Sequence, residues 1–82
     1  MIEMQAQIYV YGFLKNFVSP RFRHSPVALE FDSPITVYKI LTVILGLKTL
    51  DNTVLVNGKI VNTEYAVQDC DEVHIIPPIA GG

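Results

Sequence analysis

Few residues of this chain are of a type that does covalent chemistry, and they are scattered. His24 and His74 lie far apart, and neither has a neighbour at metal-ligand spacing. Ser19, Ser25 and Ser33 each stand near a proline in loop-like sequence, without a catalytic partner nearby. Asn57-Gly58 reads as a turn and not as a phosphate-binding loop. The single cysteine, Cys70, sits between Asp69 and Asp71 with no cation close by to favour its thiolate, so a tolerated turn residue outweighs a sulfur relay. What remains is the end of the sequence, Pro77-Pro78-Ile79-Ala80-Gly81-Gly82. Two prolines stop sheet pairing and stiffen the chain, and six residues at about 3.3 Å each reach roughly 20 Å. Two glycines leave the last carboxylate sterically bare, so that another protein could draw it into a narrow active site.

A tail of this kind needs a domain to carry it, and periodicity outlines one. Met4, Ala6, Ile8 and Val10 alternate with Gln5, Gln7, Tyr9 and Tyr11, which predicts a half-buried strand. Phe13, Leu14 and Phe17 suit one turn of an amphipathic helix, followed by a basic loop (Arg21, Arg23, His24) between Pro20 and Pro26. That loop suits a solvated surface better than an anion site. Val27, Leu29 and Phe31 predict a second strand, antiparallel to the first. Thr36 is placed to cap a helix whose apolar face is Val37, Ile40, Leu41, Ile44 and Leu45, ending at Gly46. A third strand holds Val54 and Val56 on one face and Leu55 on the other. Ile60-Val61 continues beyond the Asn57-Gly58 turn, and Asp69-Cys70-Asp71 turns into a last strand. There Val73 and Ile75 face in, while His74 and Ile76 face out. One helix must cover one face of one small sheet. Leu55, His74 and Ile76 then project from the opposite face as an exposed patch for partners.

Composition agrees with a single small domain. Of 82 residues, 50% are hydrophobic and only 17% charged, which leaves apolar surface for a partner. The net charge is −2 and the six Lys and Arg are dispersed, which argues against nucleic acid. One cysteine excludes an internal disulfide. With no signal-peptide pattern and no apolar run long enough for a membrane, a cytoplasmic protein is expected.

The stretch from Asp69 to Gly82 resembles the C-terminus of the MoaD/ThiS family of ubiquitin-like sulfur carriers. An acidic turn, an apolar strand, Pro-Pro and Gly-Gly occur there in that order. The Pro77-Pro78-Ile79-Ala80-Gly81-Gly82 ending looks most like the MoaD branch, the small subunit of molybdopterin synthase. Lys48–Thr53 and Val56-Asn57-Gly58 look closer to ThiS, and Tyr11-Gly12-Phe13-Leu14-Lys15 resembles the segment after the first strand in MoaD-type proteins. The resemblance implies an α+β, ubiquitin-like β-grasp fold. It has a mixed sheet of four to five strands, with the first and last strands parallel in the middle, and one main helix across one face. Residues 1–76 would form the domain and 77–82 an extended tail. It further implies that Gly82 is adenylated and turned into a thiocarboxylate, with Gly81 keeping the channel clear. Leu55, His74, Ile76, Pro77, Pro78, Ile79 and Ala80 would contact partners. The chain would hold no cofactor or metal and would act as a carrier and not as an enzyme. ATP would be consumed by a ubiquitin-activating-type adenylyltransferase (MoeB- or ThiF-like). The other partners implied are a molybdopterin synthase large subunit or a thiazole synthase, and a sulfur donor such as a cysteine desulfurase. Molybdopterin synthesis is the pathway favoured, with thiamine thiazole synthesis, protein modification through Gly82 and a non-covalent binding module as alternatives. In this family a glycine usually stands where Cys70 is, so a positive φ there would make the cysteine costly.

Overall fold

Strand alternation decides the architecture. The computed structural model describes residues 4–78. Strands β1 (Met4–Val10) and β2 (Val27–Phe31) form an antiparallel pair, with Ala6 opposite Leu29 and Ile8 opposite Val27. The last strand, called β7 because two short ones intervene, spans Glu72–Ile76 and lies parallel to β1, with Ile8 beside Val73 and Val10 beside Ile75. On its other edge β7 pairs antiparallel with β4 (Thr53–Val56), which continues through a hairpin into β5 (Lys59–Val61). The five-stranded order is β2-β1-β7-β4-β5, with the first and last strands side by side near the middle. This is the mixed sheet that the sequence predicts. A separate two-stranded pair, β3 (Ile35–Thr36) with β6 (Ala66–Val67), was not anticipated.

The inward residues of every main strand meet the helical segment. Ala6, Ile8, Val10, Val54, Val56, Val73 and Ile75 are buried against Val37, Ile40, Leu41 and Leu45. Thr36 caps the helix as expected, its Oγ1 accepting from the Lys39 N–H at 3.2 Å. Two further amides of the first turn, on Val37 and Tyr38, donate to the carbonyls of Tyr65 and Thr63, so the helix start is satisfied by the β6 approach. Only α1 (Val37–Lys39) is α-helical; Ile40–Ile44 is a wider π-helical turn. The Leu45 amide reaches back five residues to the Ile40 carbonyl at 2.8 Å. Widening carries Leu45 fully under the sheet and leaves Ile44, which the even α spacing places in the core, only half-buried. Gly46 closes the segment at φ +76°, as a left-handed C-cap does.

The expectation of an amphipathic turn at Phe13–Phe17 needs correction. Gly12–Asn16 is a 3-10 turn, and it buries Leu14 alone. The core places along this stretch are filled by Leu14, Val18 and Phe22, so Phe13 and Phe17 stay outside. The basic loop is solvated as expected, with Arg21, Arg23 and His24 all exposed. Pro20–Phe22 is a second short 3-10 turn, and Arg21 donates to the Ala28 carbonyl at 2.9 Å while lying over the Phe22 ring. No helix among the described residues is long and apolar enough to cross a membrane.

Two turns impose left-handed backbone. Asn57 (φ 52°) and Gly58 (φ 85°) make the β4–β5 hairpin, which suits an Asn-Gly pair. Cys70 holds φ 69° with a Cβ to accommodate, and this conformation costs a non-glycine residue about 1–2 kcal/mol. Cys70→Gly should therefore stabilise the domain by about 1 kcal/mol, a rise of roughly 4–8 °C in Tm for a chain of this size. A melting curve checks it, and an unchanged or lower Tm would mean that the cysteine side chain makes up its backbone cost by contacts of its own.

Candidate functional site

The outer face of the sheet is organised by His74, at the centre of β7. The parallel register sets it beside Tyr9, and the antiparallel register sets it beside Leu55, which in turn faces Ile60 across the hairpin. A row therefore runs Tyr9, His74, Leu55, Ile60 over four strands. The Tyr9 ring stacks on the imidazole at 4.3 Å with 7° between planes. The Tyr11 hydroxyl lies 2.6 Å from His74 Nδ1. An imidazole that accepts the phenol proton at Nδ1 carries its own hydrogen on Nε2, which faces Glu72 Oε1 at 3.7 Å. Ile76 follows on the same face, level with Thr53.

Leu55, His74 and Ile76 thus share one face, but they are half-buried rather than exposed. Cross-strand neighbours cover them, and the most exposed apolar side chain of the row is Ile60, at 75%. Sequence reasoning placed Tyr9 and Tyr11 outward yet left them and Ile60 out of the patch. The parallel pairing of the first and last strands, combined with the alternation already read, would have brought them to His74.

The entry of β7 is tied down by a polar knot. Asp69 Oδ1 accepts from the Gln5 N–H (2.8 Å), and the Cys70 N–H donates to the Gln5 carbonyl (2.7 Å). Asp71 is the one buried charged side chain among the described residues, 7% exposed. Its two oxygens accept from Asn57 Nδ2 and from the Gln68 N–H, both at 2.8 Å. Asn57 completes the ring by accepting from the Glu72 N–H at 2.9 Å. Cys70 itself is exposed. The neighbouring Asp69 carboxylate, by its charge and its hydrogen bond, raises the thiol above its ordinary pKa. That makes it a poor nucleophile and fits the turn-residue reading.

The exit of β7 is held by packing. The Tyr11 amide donates to the Ile75 carbonyl at 3.1 Å, and Gly12 then turns at φ +60°. A Cβ on Gly12 would lie 3.2 Å from Pro77 Cγ, so the bare glycine is where Pro77 rests. Pro78 in turn forms a wall of a groove shared with Phe13, Leu14 and Phe17. Both prolines are half-buried, so the stalk is seated on the domain for its first two residues. Ile79, Ala80, Gly81 and Gly82 lie outside the described residues, as does their expected role. His24 is exposed and distant in sequence from this cluster, and no group of residues suited to a metal ion occurs among the described residues.

A model of the ThiS family matches residues 21–82. Among solved structures, SAMP1 from Haloferax volcanii superimposes with a TM-score of 0.69 at 20% identity, covering 95% of this chain and 99% of that one. A structure of H. volcanii small archaeal modifier protein 1 gives a TM-score of 0.71 at 18% identity, covering 94% and 100%. At these identities the likeness is one of fold, and that fold is the ubiquitin-like β-grasp. Comparison with curated protein sequences gives no significant match.

The Gly12 seat is directly testable. Gly12→Ala should cost about 1–2 kcal/mol from the left-handed backbone alone. It should also move the Pro77 ring resonances and the Ile76 amide while leaving Leu55 and Ile60 in place. Unshifted Pro77 resonances in the folded variant would show that this contact does not set the direction of the tail.

Proposed function

The chain belongs to the ThiS family of ubiquitin-like sulfur carriers, and from that premise we propose that it delivers sulfur as a thiocarboxylate formed on Gly82. The observation that carries the reading is the termination of β7. The strand is fixed at both ends, and it runs directly into Pro77 and Pro78, four residues before Gly82.

A Gly82 carboxylate oxygen attacks the α-phosphorus of ATP on the activating enzyme and expels pyrophosphate. The acyl-adenylate carbonyl is then attacked by the terminal sulfur of a persulfide, and AMP leaves with the bonding electrons. A thiol on the donor side reduces the resulting acyl disulfide, becoming part of a disulfide itself and releasing the thiocarboxylate. This chain contributes recognition and an unhindered carbonyl, while ATP and catalysis belong to the partner. The row Tyr9, His74, Leu55, Ile60 supplies a mixed aromatic and aliphatic surface for that partner.

Molybdopterin synthesis is the pathway we favour, on the strength of the Pro77-Pro78-Ile79-Ala80-Gly81-Gly82 ending. Thiazole synthesis is a second reading, supported by the family model matched and by Val56-Asn57-Gly58. Use as a protein modifier is a third, supported by the likeness in fold to H. volcanii small archaeal modifier protein 1. A neighbouring gene for a molybdopterin synthase large subunit, or for a thiazole synthase, separates the first two.

Deleting Gly82, or adding a residue after it, should abolish ATP-dependent activation by the adenylating partner without lowering Tm. Gly81→Val should react slowly, because a side chain there crowds the channel. Leu55→Asp should weaken partner binding about tenfold, or 1.4 kcal/mol. A Gly82 deletion that still exchanges pyrophosphate with the enzyme, or that restores growth to a null strain, would end the carrier reading.

A further inference from the structure

Beside the root of the tail lies a groove of about 450 Å³. Leu14, Phe13, Phe17, Gly46, Asn52 and Pro78 line it. Phe13 and Phe17 are 50% and 65% exposed, yet their rings are held edge-to-face with centroids 6.3 Å apart. Gly46 opens one side, since a Cβ there would meet nothing within 4 Å. Lys48 and Asp51 stand at the margin. Asn52 Oδ1 is buried and, among the described residues, has no hydrogen-bond partner. Nothing in the core or the sheet requires two exposed phenylalanines at this place. An apolar hollow with a polar margin and aromatic walls has the make-up of a contact hot spot.

We propose that this groove is a docking seat for the adenylating enzyme that receives Gly82, and that it takes an apolar side chain of that enzyme. The inference rests on the reading of Gly82 given above. Its support is the short span of chain between groove and reactive end. Four residues follow Pro78, and at about 3.3 Å each they reach no more than about 13 Å. An active site that encloses Gly82 therefore brings the enzyme surface up to Pro78, which is itself a groove wall. The contacting side chain is apolar over most of its surface because the walls Phe13, Phe17, Leu14 and Pro78 offer it no side-chain hydrogen bond, and a charge placed against them would lose its hydration; Asn52 Oδ1 is left as an acceptor for a single donor at its edge. The groove belongs to the tail root, whereas the His74 row belongs to the sheet face, so the two supply separate terms in recognition.

The test is steady-state ATP–pyrophosphate exchange by the adenylating enzyme of the same organism, with the full chain as the varied substrate. Two variants are compared with the parent. Phe13→Ser/Phe17→Ser strips the walls, and Thr49→Trp fills the groove from an exposed lining position while keeping both phenylalanines. Both should raise KM for the carrier about tenfold with kcat little changed, because uniform binding is lost and Gly82 is intact. Circular dichroism and Tm confirm the fold of each. If Thr49→Trp is folded and its KM equals that of the parent, the groove proposal is overturned while the Gly82 reading stands. A parent that supports no exchange removes that reading and the groove proposal with it. Concentration-dependent dimers of the parent, abolished by the double substitution without any change in KM, would assign the groove to a second copy of this chain and also overturn the proposal.

Discussion

β7 lies inside the sheet, hydrogen-bonded to β1 on one edge and to β4 on the other, and its parallel pairing with β1 is the contact that the remaining architecture serves. Two parallel strands cannot be joined by a tight turn. Everything between Val10 and Glu72 is therefore the connection that lets the two ends of the domain meet, and the helical segment covers the face thus formed. Ile8, Val10, Val73 and Ile75 are each at most 1% exposed, so the pairing is also the middle of the core. At roughly 1.5–3 kcal/mol for each fully buried aliphatic side chain, these four residues contribute a large part of the stabilisation.

Such a pairing also sets which side chains face outward. A slip of one residue would turn Val73 and Ile75 to solvent and bury His74. The polar knot of Asp69, Asp71 and Asn57 prevents that slip at the entry of β7, and the Gly12–Pro77 contact holds the exit. Burying Asp71 is tolerable because both of its oxygens are hydrogen-bonded. The strain at Cys70 belongs to the same device, since its amide is one of the bonds that attach the knot to β1. Stability is thus spent locally on a precise exit point for the tail.

Much of this was legible in the sequence, because period-two alternation and a capped apolar helix are strong signals wherever one face is buried. β1, β2, β4, β7, the Thr36 cap and the Asn57-Gly58 hairpin follow from them. The positive φ at Cys70 followed from the turn and the family pattern together. Other features depend on competition for space, which local pattern does not record. Leu14, Val18 and Phe22 occupy the core places along their segment and displace Phe13 and Phe17. The π-helical turn at Ile40–Ile44 keeps the same apolar residues but changes their order of burial. The strands β3 and β6 have two residues each, too few for any period to show. The seating of Pro77 depends on a glycine sixty-five positions earlier in the chain.

On the proposed reading, this small domain presents Gly82 to an enzyme that recognises its surface, and Gly82 carries the transferable sulfur. Intact-mass analysis of the protein from its own cells tests it most directly. A fraction of the molecules should be heavier by the difference between one sulfur and one oxygen atom, and that fraction alone should be alkylated at the last residue, with any alkylation of Cys70 located separately by peptide mapping. A single unmodified mass, unaltered by incubation with the adenylating enzyme, ATP and a persulfide donor, would contradict the account.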